Sequence, residues 1–338
     1  MYKFVGSCVG LFLAASASAS AQDIMAIATE AAPQLSAELI NAADLTSISV
    51  QYSAEAEQLM PSPAIVRLQV LLDRAGASPG VIDGFDGDNV RKAILAFEML
   101  SGLPLDGSLD AEALSRLGAE PVVGLYTISE DDIADITGPT PQDYADKALA
   151  AYLGYETVAE AVAERFHMDI DLLATLNPGA TYAVGEQIFV AAPGKPISEA
   201  KVARIEADKS LRQVRAYDEL GTLIVAYPAT IGSEDNPSPS GSHVVEGVAT
   251  MPNYTYNPKI NFQQGENAEV LTIPPGPNGP VGSSWIDLSE PTYGIHGTPE
   301  PSLIDKTGSH GCVRLTNWDA EELAKMVSPG VKVDFTGD

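Results

Sequence analysis

Tyr293 to Leu315 reads YGIHGTPEPSLIDKTGSHGCVRL. Two of the chain's 4 histidines, His296 and His310, stand here beside Cys312. A thiol is a poor nucleophile until it becomes a thiolate, and a neighbouring imidazole can take that proton near neutral pH. Gly311 removes a side chain, so backbone N–H groups around Cys312 can approach a developing oxyanion. Ser309-His310-Gly311-Cys312 therefore packs a thiol, an imidazole and exposed backbone into four consecutive residues. The local logic is acyl transfer through a thioester.

Two other readings use the same residues. His310 and Cys312 are two apart and would point the same way on a strand, and His296 could supply a third ligand. Three protein ligands plus water would make a catalytic zinc site. Against zinc, no carboxylate stands beside the cluster as an obvious base, and no fourth Cys or His is placed to close a structural site. A buried, inert thiol is the other alternative, although Gly-Cys flanked by Ser and His is not apolar core composition.

Cys312 is one of 2 cysteines in 338 residues, and the other, Cys8, lies in a segment that reads as a secretory signal. Lys3 is its positive charge, Phe4 to Ala15 its apolar core, and Ala19-Ser20-Ala21 its small-x-small cleavage pattern. Cleavage would leave Cys312 unpaired in an oxidising compartment, where exported proteins usually pair their thiols. An intermolecular disulfide would account for that as well as a reactive thiol does. Beyond the signal, no apolar run approaches the ~20 residues that a membrane helix needs. With 46 acidic against 19 basic residues, the surface repels phosphate backbones and anionic lipid, so neither is expected as a partner.

The length suits two or three modules rather than one core. From Gln22 to about Met60, Ala, Ser and Glu dominate and predict a flexible or weakly helical leader. After Pro61, three groups recur at helical spacing: Ile65, Leu68 and Leu72; Val90, Ala93, Ile94 and Phe97; Ala113, Leu114 and Leu117. Asp88 and Asp110 sit where N-caps belong, and Asp83-Gly84 and Asp106-Gly107 mark turns. A strand at Leu125–Ile128 and a helix with Val158, Ala161, Val162 and Phe166 on one face follow. From Ala200 the segments KVARIEAD, LRQVRAYD and GTLIVAYPATIG alternate as strands do, predicting a β-meander. Pro and Gly then crowd 237–241 and 274–282, as in long loops around a site. Thr316 or Asn317 can cap a final helix that Ser328-Pro329-Gly330 stops.

Three resemblances give these pieces a context. Leu68 to Leu117, with its doubled Asp-Gly turns and the Phe97 helix, resembles the small helical peptidoglycan-binding domain of wall enzymes. DLLATLNPGATYAVGEQIFVAAP (Asp171 to Pro193) resembles the close of a LysM module, a strand-helix-helix-strand unit that grips glycan. It departs from that pattern in a long insertion between the first strand and first helix. GIHGT and SHGCVRL resemble the signature of the L,D-transpeptidase catalytic domain of the YkuD type. The likeness extends through PSPSG (237–241), NYTYNP (253–258), IPPGPNGPVGSSWIDLS (273–289) and PGVKV.

After the signal at 1–21 and the leader at 22–60, these resemblances imply a multidomain α+β protein: a three-helix peptidoglycan-binding-like domain at 61–120, a LysM-like α/β module at 121–195, and at 196–338 a β-rich, mostly antiparallel, sandwich- or barrel-like catalytic domain. The family motif puts Cys312 in the nucleophile position and His296 in the base position, with the Gly297 carbonyl orienting the imidazole. His310, Gly311 and the Cys312 amide match the oxyanion segment. Ser309 would bond within the site or shape its turn. Arg314 would hold a stem-peptide carboxylate or brace the loop, while Tyr254, Asn278 and Trp285 fall on loops near the cleft. The resemblance further implies an exported wall enzyme, periplasmic, without metal or cofactor. It would act on stem tetrapeptides and form 3→3 crosslinks or anchor a protein to the wall. Water as acceptor would make it an L,D-carboxypeptidase or endopeptidase, and a dead site would leave a wall-binding protein. His167 is expected at the surface or as a cap, and His243 as structural. The upstream modules are expected either to bind wall polymer, tethering the enzyme without touching its chemistry, or to serve as a spacer with a purely structural role.

Overall fold

The computed structural model describes residues 35–48, 60–195, 197, 199–260 and 262–337. The expected signal at 1–21 and most of the expected leader lie outside them. The rest of that leader is folded. Ser36 caps helix α1 (Ala37–Ala42), Ile40 is fully buried, and the Asn41 amide donates to the Val123 carbonyl while accepting from the Val122 and Val123 N–H groups. One fully buried isoleucine and a capping serine secure this short helix, too little for periodicity to reveal.

Helices α2 (Pro63–Arg74), α3 (Asp88–Ser101) and α4 (Ala111–Leu117) form where the spacing predicts them. Ser62 and Asp110 cap α2 and α4 through their side chains, and Gly102 ends α3 in the left-handed conformation. Asp88 is not a cap. Gly87 holds that place, and Asp88 sits inside the first turn, favoured by the helix dipole and paired with Arg91 at 2.7 Å.

Strand β1 (Val123–Thr127) pairs antiparallel with β2 (Gln187–Ala191), and between them run α5 (Tyr144–Lys147), α6 (Val158–Arg165) and α7 (Ile170–Leu176). The sequence separates this part from the helices before it, but the packing does not. One cluster of buried side chains runs from Ile40 through Leu68 and Ile94 to Leu172, Leu173 and Ile188.

The remainder builds a nine-stranded sheet. Its strands are β3 (Arg204–Asp208), β4 (Gln213–Tyr217), β5 (Leu223–Pro228), β6 (Thr230–Ile231), β7 (Gly241–Thr250), β10 (Ser284–Leu288), β11 (Gly294–His296), β12 (Val313–Arg314) and β13 (Lys332–Thr336). The order is β5-β4-β3-β13-β7-β10-β11-β12-β6, with β8 (Tyr254–Tyr256) and β9 (Leu271–Ile273) pairing apart. Only β3–β13 and β11–β12 are parallel. The two end strands, β5 and β6, are consecutive in sequence with Ala229 alone between them, so the sheet closes on itself and is barrel-like. Helix α8 (Asn317–Met326), capped by Thr316, adds Ala320, Leu323 and Met326 to the barrel's core.

The upstream part is fastened to this barrel. Ala226 in β5 donates to the Gly76 carbonyl and accepts from Ser78, both at 2.9 Å, which covers backbone that a free edge would expose. Leu153, from the insertion, is buried with Tyr256 and Ile273. Residues Leu35–Asp338 form one compact unit.

Candidate active site

His296 ends β11 opposite Trp285 of β10 and opposite Arg314 of β12. Cross-strand partners share a face and side chains alternate, so Trp285, His296 and Arg314 line one face. Cys312, two residues before Arg314, comes to the start of β12 on the same side. His296 is 5% exposed, and the Trp285 indole stacks on it at 5.5 Å between centroids and 20° between planes. His296 Nδ1 lies 2.7 Å from the Gly297 carbonyl oxygen. A carbonyl can only accept, so the neutral imidazole carries its proton on Nδ1 and keeps Nε2 as a free base.

Burial pushes the His296 imidazole down to about 4; the Gly297 bond opposes this and the Arg314 charge adds to it. Burial pushes the Cys312 thiol up, against a Gly294 backbone bond and the Arg314 charge. Both groups are therefore neutral at neutral pH, and a proton would move from sulfur to nitrogen during attack rather than before it. Cys312 Sγ rests 3.7 Å from the Thr292 carbonyl oxygen.

The turn before Cys312 is held from three sides. Ser309 Oγ donates to the Cys312 carbonyl at 2.6 Å and accepts from the Gly311 N–H at 3.3 Å, while Ser309 N–H donates to the Gly232 carbonyl at 3.0 Å. Gly311 has φ +103°, and a Cβ there would lie 2.6 Å from the Tyr293 ring, so both conformation and space require glycine. The Arg314 guanidinium donates to the Gly308 carbonyl. Of the two roles open to Arg314, bracing the loop is the one its contacts display. Its charge also faces Cys312.

His310 is exposed, with its imidazole flat on Phe262 at 3.9 Å and 13°. Phe262 meets Tyr144 and Tyr256 edge-on at 6.0 Å, and Tyr144 meets Tyr254 at 6.1 Å. Burial raises the Tyr254 hydroxyl, and the nearby Cys312 raises it further. The insertion holds this wall in place: Tyr144 N–H donates to Gln264 Oε1 at 3.1 Å, and Asn267 Nδ2 to Asp143 Oδ1 at 3.1 Å. Tyr144 and Phe262 are absent from the sequence reading. The run Tyr254, Tyr256, Phe262 was a signal for an aromatic wall, whereas nothing local could pair it with Tyr144.

Other expected residues lie elsewhere. Asn278 is 4% exposed and donates to the Gly154 carbonyl at 3.0 Å and to Glu160 Oε1 at 2.7 Å. It pins the upstream module to the barrel and does not face the cleft. Trp285 supports His296, with its Nε1–H on Asp287 Oδ1 at 3.1 Å. His167 stands in the C-terminal cap of α6, at φ +57° with its N–H on the Glu164 carbonyl at 3.1 Å; its side chain is half-buried, with Nδ1 3.0 Å from Asp73 Oδ2 and the ring stacked on Trp318 at 5.0 Å. His243 packs edge-on against Phe335. A cavity of about 420 Å³, lined by Asp73, Glu164, His167, Trp318 and Asp319, lies at the same junction, away from Cys312. Among the described residues, no three His, Cys, Asp or Glu side chains converge to hold a metal ion.

Comparison with known proteins places this arrangement. Residues 203–334 match the family model described as "L,D-transpeptidase catalytic domain", of the YkuD type, and residues 61–117 match a "Putative peptidoglycan binding domain". "Putative L,D-transpeptidase YkuD" of Bacillus licheniformis is 32% identical over 180 residues, which cover 52% of this chain and 92% of that protein. The chain belongs to the YkuD family of L,D-transpeptidases. "Probable L,D-transpeptidase YbiS" of Escherichia coli K12 is 26% identical over 210 residues, 59% of this chain and 68% of the relative. Among solved structures, L,D-transpeptidase 1 of Mycobacterium tuberculosis is similar at 16% identity and TM-score 0.30, over 39% of this chain and 60% of that one. The catalytic domain of the Enterococcus faecium L,D-transpeptidase matches at 19% identity and TM-score 0.29, over 39% of this chain and 95% of that one. In this L,D-transpeptidase chain, the matched catalytic segment takes in both His296 and Cys312, and the matched binding segment takes in α2, α3 and α4.

Proposed function

We propose that the chain is an exported, cysteine-dependent L,D-transpeptidase acting on peptidoglycan stem tetrapeptides. Cys312 Sγ attacks the carbonyl carbon that follows the L-centre of diaminopimelate. His296 Nε2 takes the thiol proton and passes it to the departing amine. The C–N bond breaks, D-Ala leaves, and a thioester remains on Cys312. An amine of a second stem peptide, or of a protein to be anchored, then attacks the thioester, the C–S bond breaks, and the proton returns to sulfur. The observation that carries this reading is His296: buried, stacked, protonated toward Gly297 and free at Nε2, paired with Arg314 of β12, the strand that Cys312 immediately precedes.

The His310 and Cys312 amides are the donors assigned to the oxyanion, since the Gly311 N–H is turned toward Ser309 Oγ. His310, exposed at the mouth, positions substrate together with Tyr254. The upstream modules are assigned to wall polymer, raising the local concentration of stem peptides. The location that follows is the periplasm or cell wall. Incubation with disaccharide-tetrapeptide tests the reaction class: a crosslinked dimer is expected, whereas tripeptide alone would make the acceptor water.

A further inference from the structure

We propose that Glu164, from the upstream module, and Asn317, at the start of α8, form a positioning pair that sets His296 through Gly297. The inference rests on the assignment of Cys312 and His296 above. Asn317 is 2% exposed and Glu164 7% exposed. Asn317 Nδ2 donates to both Glu164 oxygens, at 3.0 and 3.3 Å, and to the Pro277 carbonyl at 3.2 Å. Its Oδ1 accepts from the Ser283 N–H at 3.1 Å.

The amide is a wedge between two loops. Ser283 immediately precedes β10, which carries Trp285, and Gly297 immediately follows β11, which carries His296. A Cβ at Gly297 would lie 2.1 Å from Asn317 Oδ1, and one at Gly282 would lie 2.0 Å from it. The backbone at both positions therefore packs directly on this side chain. Gly297 supplies the carbonyl 2.7 Å from His296 Nδ1, so the place of Asn317 decides where that acceptor points.

The Pro277 carbonyl and the Ser283 N–H fix which way the amide faces, since the flipped amide would set Oδ1 against the carbonyl and Nδ2 against the N–H. Glu164 supplies two further acceptors to Nδ2 and so holds the side chain in place from the upstream module. The upstream module thus completes the active site from behind, at a buried contact with no part in gripping glycan.

The test uses the full-length protein, with kcat and KM on soluble disaccharide-tetrapeptide and the pH midpoint of Cys312 alkylation by iodoacetamide. Asn317→Asp should lower kcat about 10–100-fold, the cost of misplacing a catalytic group, with KM nearly constant and the alkylation midpoint moved. Above about pH 8, where Glu164 is ionised and faces the aspartate, adding Glu164→Gln should restore most of kcat, because the glutamine amide donates where the aspartate now accepts. Leu172→Ala, which loosens the same module in its core, should leave kcat per folded molecule and the midpoint unchanged. A double variant no better than Asn317→Asp would overturn the pair. So would a Glu164→Leu variant with wild-type kcat and midpoint, or losses that follow thermal stability alone as in Leu172→Ala. His296→Ala separates this failure from the other: if it alkylates with the wild-type profile, the base assignment falls and the pair falls with it.

Discussion

His296 Nδ1 lies 2.7 Å from the carbonyl oxygen of Gly297, the next residue in the chain. A backbone carbonyl here fills the place that a carboxylate holds in serine triads. It fixes the same tautomer but carries no charge, so it stabilises an imidazolium less. With burial dominant, His296 stays neutral down to about pH 4.

The acid limb of kcat/KM should therefore fall near pH 4. Above that pH the base is free, and below it the imidazole is protonated and the rate is lost. Between pH 5 and 7 the rate should not rise as it would for an ordinary histidine of pKa about 6.5. A pH–rate profile with its acid midpoint near 6.5 would contradict the neutral, buried base. His296→Ala should cost about 10²–10⁴-fold in acylation rate.

Trp285 should matter through His296 rather than through substrate. Trp285→Phe keeps a ring over the imidazole and should retain most of kcat. Trp285→Ala removes a stacked pair worth about 0.5–1.5 kcal/mol beyond its area, and should lower both stability and kcat with little change in KM. Thermal unfolding and steady-state kinetics check both. A rise in KM alone would return Trp285 to the substrate side.

Stability should fall as pH rises through the neutral range. Burial pushes Glu164 and Asp319 up to about 8, so from their ordinary values to pH 8 the folded chain holds protons that the unfolded chain has released. His296 acts oppositely, but only between about 4 and its unfolded value near 6.5. From pH 6.5 to 8 the two carboxyls act without that opposition. Chemical denaturation at stepped pH should show the decline, and Glu164→Gln should flatten it. An unchanged slope in that variant would show that Glu164 does not titrate there.

Removing everything before residue 196 should damage the enzyme itself. The sequence suggests a detachable tether, yet the cut would expose the β5 edge at Ala226 and take away the partners of Asn278 and Asn317. The truncated protein should aggregate more and turn over soluble muropeptides more slowly, not only lose intact sacculi. Full activity on soluble substrate with loss of sacculus binding would restore the tether reading.

The sequence carried the parts whose signal is local. The β-meander, the α8 cap at Thr316 and the crowding of His296, His310, Gly311 and Cys312 are all encoded over a few residues. What it hid are contacts between distant segments. Asn278 and Trp285 stood on loops near the motif, but only the fold shows that one faces Glu160 and the other His296. Tyr144 lay in a stretch without periodicity, and its role depends on Phe262, far along the chain. Glu164 looked like one more acid on an amphipathic helix until α8 was packed against it.

The most direct test is D-Ala release from disaccharide-tetrapeptide by wild type and by Cys312→Ala. The substitution removes the nucleophile and little volume, so the variant should fold as the wild type does and release no D-Ala. Release of D-Ala by a folded Cys312→Ala protein would contradict the account at its centre.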